Sequence, residues 1–464
     1  MGEILSFGSS SKFKTDLGGN MRIIIVGGIA AGMSAAAKLR RTDRDAEIVV
    51  YEKSPHISFG ACGLPYYVGG NFDNVDRMLV RTPEKVRETG IDVKIEHEVV
   101  SLNVKTKTIE VKNLQSGEVF TDNYDRLMIA TGAATVIPPI KNIEKAYTLR
   151  SVEDGEKLKA KMQDESIKKI AVIGAGFIGL EVADVAKELG KEVCVFNSGN
   201  RILENVLDKE VTEILEENLR AHGIELYFNS MVTSIDTLDG KTKVITNTDE
   251  VEVDLVVLAA GVRPNTSFLK DTGIEMLPNG AIVIDDEGKT SIQDIYAAGD
   301  CATVYHLVKE KQVYIPLATN ANKLGRIVGS NLGGKNEKFQ GTLGSSCIKL
   351  LDMEAGATGI TEEDAKNMNL NYKSVFIADK NHTDYCPGQE KIYVKLIYNA
   401  DTKVILGGQV VGKSDAVQRT NVLATAIFAK MTTEQLGILS NPDRNYYRMD
   451  QEDLWEVTGQ RRWK

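Results

Sequence analysis

Cysteine is scarce in this chain: there are five in 464 residues, an odd number. Such a count does not make the framework of a secreted, disulfide-stapled protein. It suits a reducing cytoplasm, where a singled-out cysteine is more often chemical than structural. Long apolar runs are missing too, so no segment is expected to span a bilayer. No basic block stands out against a formal net charge of −9, which argues against nucleic acid or an anionic membrane as a partner. A phosphorylated ligand must then be held by local devices such as glycine turns, helix N-termini or placed arginines. No cluster of His, Cys and carboxylates has metal-ligand spacing, so no metal is expected. Residues 1–20 are rich in Gly and Ser and lack the basic start and apolar stretch of a secretory signal. Their Met1-Gly2-Glu3-Ile4-Leu5-Ser6 start formally fits a myristoylation pattern, but an extension upstream of Met21 is the expectation.

What is present is a globular composition, 42% hydrophobic and 26% charged, on a chain too long for one core. Its clearest feature is a repeated unit. Arg22 to Val26 is an apolar run followed by Gly27-Gly28-Ile29-Ala30-Ala31-Gly32 and an Ala-rich helical stretch. Ile170 to Ile173 is another, followed by Gly174-Ala175-Gly176-Phe177-Ile178-Gly179 and a second helical stretch. Ile48 to Tyr51 and Val193 to Phe196 read as the next strand of each unit. Two strand–turn–helix–strand units predict two dinucleotide-binding domains, one inserted into the other. Beyond about residue 335 the alternation of Ile392 to Leu396, a turn at Asn399-Ala400-Asp401 and a helical stretch from about Ala416 to Lys430 predict a separate α+β domain for packing or dimerisation.

The second fingerprint is complete: Gly174 for the tight turn, Gly176 for close approach of a pyrophosphate, Gly179 for helix–strand packing. In the first, Ile29 takes the place of the middle glycine, and Glu52 ends the following strand, where it can accept hydrogen bonds from a ribose. The corresponding position of the second unit is Asn197, which removes the carboxylate that repels a 2′-phosphate, and Arg201 lies close enough in sequence to meet that phosphate. Cofactor choice is thus open, leaning towards tolerance of NADPH. Two apolar runs end in small residues, Ala130-Thr131-Gly132 and Ala297-Ala298-Gly299-Asp300, and Asp300 is placed to hold a polyol hydroxyl.

Between these elements lies Ser58-Phe59-Gly60-Ala61-Cys62-Gly63-Leu64-Pro65-Tyr66-Tyr67. The order of GGxAAG, Glu52, SFxxCGLPY, ATG, GAGFIGLE, AAGVRPN and AAGDCA resembles the FAD-dependent pyridine nucleotide–disulfide oxidoreductases over roughly residues 21 to 435. The resemblance implies an α/β fold of two Rossmann-like domains and a C-terminal dimerisation domain. FAD would be bound by 21–140 with 265–334, NAD(P)H by 141–264, and the dimer contacts would come from 335–464. It implies FAD contacts at Gly27, Ala30, Ala31, Gly32, Glu52, Lys53, Val99, Ala130, Thr131, Gly132, Asp300, Leu317, Ala318 and Thr319. NAD(P)H contacts are implied at Gly174, Gly176, Phe177, Ile178, Gly179, Asn197, Ala260 and Gly261.

Members of the glutathione reductase type carry a second cysteine five positions after the first, where this chain has Tyr67. Cys62 therefore resembles the single-cysteine branch of coenzyme A disulfide reductases, NADH oxidases and peroxidases, and polysulfide reductases. Oxidases and peroxidases usually place a histidine in the first glycine turn. Ala30 stands there, and Leu64-Pro65-Tyr66 is similar to the coenzyme A disulfide reductases, although that group often has asparagine at Ala61. This branch implies NAD(P)H-driven reduction of coenzyme A disulfide through a Cys62–coenzyme A mixed disulfide in a cytoplasmic homodimer, with a lowered Cys62 pKa. Oxidase or peroxidase, polysulfide reductase and redox-sensing flavoprotein are the alternatives. Tyr385 is the expected proton donor across the dimer. A second tyrosine is in doubt, because Ser440 to Tyr447 departs from the family pattern; Tyr446 and Tyr447 are the substitutes. Lys38, Arg41 and Ser58 are candidate coenzyme A contacts. Cys194, Cys301 and Cys347 are expected to pack as small hydrophobes, while Cys386 lies near the family's substrate-facing segment. His56 is expected to point away from Cys62, and His382 to be a solvated loop residue.

Overall fold

The computed structural model describes residues 20–439 except 239–240, 383–384 and 386. Cys386, Tyr446 and Tyr447 therefore lie outside the described residues. The run Ile23, Ile24 and Ile25 is wholly buried, which a parallel strand covered on both faces requires. It sits at the centre of a five-stranded parallel sheet ordered Ile295–Ala297, Arg126–Ile129, Arg22–Val26, Glu47–Tyr51, Ile91–Lys94. The second sheet is ordered Ile224–Tyr227, Glu192–Phe196, Lys169–Ile173, Leu255–Leu258, again all parallel.

The repeat runs further than the glycine turns. Each unit inserts a three-stranded antiparallel meander before the strand that returns to its sheet. The first is His97–Asn103, Thr108–Asn113, Val119–Asn123; the second is Val232–Leu238, Lys241–Thr246, Glu250–Val253. The two units meet where Ala133–Thr135 pairs antiparallel with Val262–Pro264. Helix Ala30–Thr42 packs tightly on helix Ala318–Leu332, because Gly325 and Gly329 leave room that a Cβ would fill against the backbone of Ala31 and Ala35. No helix among the described residues is long and apolar enough to cross a membrane.

The third sheet is antiparallel, ordered Ser346–Leu350, Met353–Gly359, Ile405–Gly412, Lys391–Asn399, Tyr372–Lys380, with helix Ala416–Phe428 packed on it. It is tied to the second parallel unit by a buried charge cluster. Lys395, 1% exposed, donates to Glu210 and Glu362 at 2.8 Å each and lies 3.6 Å from Asp208. Gln409 donates to Asp208 Oδ2 at 2.7 Å and accepts from the Asp208 amide at 2.8 Å. Burial lowers the Lys395 pKa, but the hydrogen bonds to Glu210 and Glu362 outweigh it and hold the ammonium above its ordinary value. Removing the cation strands three carboxylates, so Lys395→Met is expected to cost about 3 kcal/mol. Thermal melts should show a fall of several degrees, partly recovered by adding Glu362→Gln. An unchanged melt would mean that the cluster contributes nothing net.

Candidate functional site

The first glycine turn is shaped by backbone contact. Gly27 has φ +108°, and a Cβ there would collide with the Ala130 carbonyl; a Cβ on Gly32 would collide with Gly27. Ile29 has φ −98°, so a side chain is tolerated where the fingerprint ordinarily has glycine. The helix beginning at Ala30 has no side-chain cap, and the amides of Ala30, Ala31 and Gly32 find no acceptor among the described residues. Glu52 is buried at the end of its strand, where its two carboxylate oxygens accept the Gly28 and Ser54 amides at 2.7 and 2.8 Å. Open amides at a helix N-terminus beside a fixed acid suit a pyrophosphate and a ribose, so these residues fit a dinucleotide such as FAD. Val99 is buried beside the turn's sheet, and Lys53 is exposed.

The ATG and VRPN segments clamp one another. Thr131 Oγ1 donates to Asn265 O at 2.7 Å, the Asn265 side chain donates to Thr131 O at 3.0 Å, and the Asn265 amide donates to Gly132 O at 2.9 Å. Asp300 lies 3.5 Å from Arg150 Nη2, and burial still raises its pKa. Tyr314 Oη donates to the Asp300 carbonyl at 3.0 Å. Leu317 precedes the uncapped start of helix Ala318–Leu332, where Ala318 and Thr319 are exposed.

Cys62 sits in the turn Ala61–Gly63, directly before the short helix Leu64–Val68, and is exposed. The atoms around its sulfur nevertheless desolvate it, and Glu181 and Asp300 add to the effect while Arg150 opposes it. The chain's own groups therefore push the thiol above its ordinary value, contrary to the lowering expected from sequence. Tyr67, in the place of a second cysteine, is buried with Lys159 Nζ 4.2 Å from its ring centre. The His56 ring faces Glu153 at 3.7 Å. Cys194 and Cys301 are buried, their pKa values pushed up to about 12 and about 11 by burial. Cys347 corrects the sequence reading: it is exposed, on the outward face of a strand whose Ile348 and Leu350 turn inward. Ser58 has φ +52° and links Gly28 O to the Val80 amide through its own backbone. Lys38 lies 3.8 Å from Glu337, and Arg41 is exposed. Tyr385 is 78% exposed. His382 is not a solvated loop residue; its side chain is 13% exposed, with Nε2 3.8 Å from Asp415.

The second glycine turn repeats the first. Gly174 has φ +111°, a Cβ there would strike the Ala259 carbonyl, and one on Gly179 would strike Gly174. A Cβ on Gly176 would meet nothing within 4 Å, leaving open space beside the free amides of Phe177, Ile178 and Gly179. Gly261 is equally open, next to Ala260. These residues fit a nicotinamide dinucleotide. Asn197 donates its side-chain N–H to Arg201 O at 2.9 Å. Arg201 is not free to receive a phosphate: its Nη2 donates to Glu204 O at 2.7 Å and to Leu207 O at 3.4 Å, and lies 3.9 Å from Glu363.

Residues 21–325 match the model of the pyridine nucleotide-disulphide oxidoreductase family, and residues 345–439 match its dimerisation domain. The chain belongs to this family. An NADH oxidase of Enterococcus faecalis is 38% identical over 90% of the chain and 94% of that protein. An NAD(P)H coenzyme A polysulfide/persulfide reductase of Pyrococcus horikoshii is 34% identical over 90% and 94%. A coenzyme A disulfide reductase of Staphylococcus aureus is 28% identical over 89% and 94%. The reduced CoADR-RHD of Bacillus anthracis superposes with a TM-score of 0.90 at 33% identity, covering 95% of the chain and 80% of its own. The chain is thus an oxidoreductase of an FAD- and NAD(P)H-binding family whose members differ in electron acceptor.

Sequence reading missed Arg150 and Tyr314, which contact Asp300, and Glu181, which acts on Cys62. Glu181 stands in the first turns of helix Phe177–Glu188 and acts electrostatically on Cys62, Tyr66 and Cys347. Burial, with Asp184 adding to it, pushes its carboxyl up to about 7. Only its place in GAGFIGLE could have flagged it; its burial comes from tertiary packing. A carboxyl with a raised folded value keeps a proton that the unfolded chain releases. The stability tied to that proton is present below pH 4.5 and is lost as pH rises through about 7. Glu181→Gln should therefore gain on the wild type across that window, by at most about 3 kcal/mol and less for its partial exposure. Melts at a series of pH values check this, and a pH-independent difference would show that Glu181 ionises normally.

Proposed function

We propose that the chain is a homodimeric flavoenzyme that reduces coenzyme A disulfide, or a related low-molecular-weight disulfide, with NAD(P)H through Cys62. The observation that carries this reading is a solvent-exposed Cys62 with no imidazole acting on it among the described residues: Ala30 occupies the first glycine turn, and His56 is engaged with Glu153. An exposed single thiol is open to a bulky disulfide. The memberships of the sheets support a division into an FAD domain (21–140 with 265–334), an NAD(P)H domain (141–264) and a dimerisation domain from 335 onward.

FAD would be held by the amides of Ala30 to Gly32, Glu52, Asp300 and the start of the helix at Ala318, and when bound it relays two electrons from NAD(P)H to the sulfur side of the site. As thiolate, Cys62 attacks one sulfur of the disulfide, forms a mixed disulfide with one coenzyme A and expels the other as a thiolate. The electron pair cleaves that mixed disulfide, restoring the Cys62 thiolate and releasing the second coenzyme A. The sum is NAD(P)H + H⁺ + disulfide → NAD(P)⁺ + two thiols. Tyr385 is proposed to protonate the departing thiolate in the other protomer's site. Lys38 and Arg41 are proposed to meet the coenzyme A phosphates, and Ser58 to line its approach.

The 38% identity with an NADH oxidase favours a second reading, in which dioxygen is the acceptor and Cys62 cycles through a sulfenate. Anaerobic oxidation of NADH or NADPH with coenzyme A disulfide separates the two. Turnover that Cys62→Ser lowers by at least about a hundredfold is expected, with reduction of the bound flavin by NAD(P)H left intact. Consumption of NAD(P)H only in air would instead establish the oxidase.

A further inference from the structure

We infer that Glu204 reads the adenosine ribose of the nicotinamide donor and selects NADH over NADPH. This rests on the reading of the Gly174–Gly179 turn as the NAD(P)H site. The strand end has Asn197 where an acid ordinarily binds the ribose 2′-hydroxyl, so by position alone the chain lacks that acid. The loop that follows folds an acid back. Asn197 donates to Arg201 O at 2.9 Å, and the Asn229 amide donates to Gly199 O at 2.8 Å, which together hold the loop closed. In that fold the Glu204 carboxylate lies over Gly199, so near that a Cβ on residue 199 would sit 2.5 Å from Glu204 Oε1 and 2.6 Å from Cδ.

Glu204 is half-buried, yet its carboxylate accepts no hydrogen bond and forms no ion pair among the described residues. Arg201, the single cation between Asn197 and Asp208, does not neutralise it, because its guanidinium is bound to the Glu204 and Leu207 carbonyls and faces Glu363. An unpaired carboxylate folded back over Gly199, three residues beyond the end of strand Glu192–Phe196, can accept the 2′-hydroxyl of NADH and repels the 2′-phosphate of NADPH.

The test is equilibrium titration of the FAD-loaded protein with ADP-ribose and with 2′-phospho-ADP-ribose, which needs neither turnover nor an electron acceptor. The wild type is expected to bind ADP-ribose at least about tenfold more tightly, the discrimination that one unscreened carboxylate beside a phosphate provides. Glu204→Gln should reduce that ratio about tenfold while leaving the melting temperature unchanged, since the carboxylate bonds nothing else. Gly199→Ala keeps the charge but displaces the carboxylate, and should move the ratio in the same direction. Tighter binding of the phosphorylated ligand by the wild type, or an unchanged ratio in Glu204→Gln, would overturn the inference while leaving the nucleotide site standing. Failure of the wild type to bind either ligand would overturn both. Failure of the disulfide reading would appear only in the turnover assay.

Discussion

Backbone-to-backbone contact at Gly27 and Gly174 is the constraint on which the rest of the molecule depends. At each, the chain leaves a central strand with φ near +110° and passes so close to the carbonyl of a neighbouring strand end, Ala130 or Ala259, that no Cβ fits. That proximity aims the next helix's free amides at the strand ends. It also brings the second half of each unit, the ATG segment in one and the Ala259–Gly261 segment in the other, to the same edge. The reciprocal clamp of Thr131 and Asn265 then ties the two edges together. The nucleotide sites, the Cys62 turn and the Asp300–Arg150 pair are all positioned from these edges.

Cys62 stands in an electrostatic field that favours the neutral thiol. Glu181 and Asp300 both act against its thiolate, and Arg150 is the opposing cation, itself shared with Asp300. Protonation of Glu181, made accessible near neutral pH by its burial, weakens the field that acts against a Cys62 thiolate. The reactivity of the sulfur is therefore coupled to the charge of groups on three segments distant in sequence.

What was legible in the sequence was whatever rests on a local requirement. The glycine turns announce themselves because only glycine survives the close approach, and Cys62 because its flanking residues form an unbroken segment. The three-stranded meanders went unread, since short polar strands carry a weak periodic signal and owe their pairing to the sheet they cap. Cys347 was misplaced although its strand alternates: sharing a face with Lys349, opposite Ile348 and Leu350, it had to point outward. Arg201 was misjudged for another reason. Proximity in sequence to Asn197 says nothing about where a long side chain finds its acceptors, and the nearest acceptors were the carbonyls of its own loop.

The same loop shows why a fingerprint read position by position is incomplete. From Asn197 to Asp208 the chain makes a closed turn whose far end is buried against the third domain, through Gln409, Lys395 and the Glu362 amide. Asp208 is 5% exposed there, so the loop's end cannot shift without exposing or stranding a charge. Arg201 reaches the same domain at Glu363. The conformation that sets Glu204 over Gly199 is thus braced from behind by a sheet that has no nucleotide turn of its own. Residues such as Lys395 and Gln409, far along the chain from either fingerprint, accordingly belong to the physical basis of that loop's conformation.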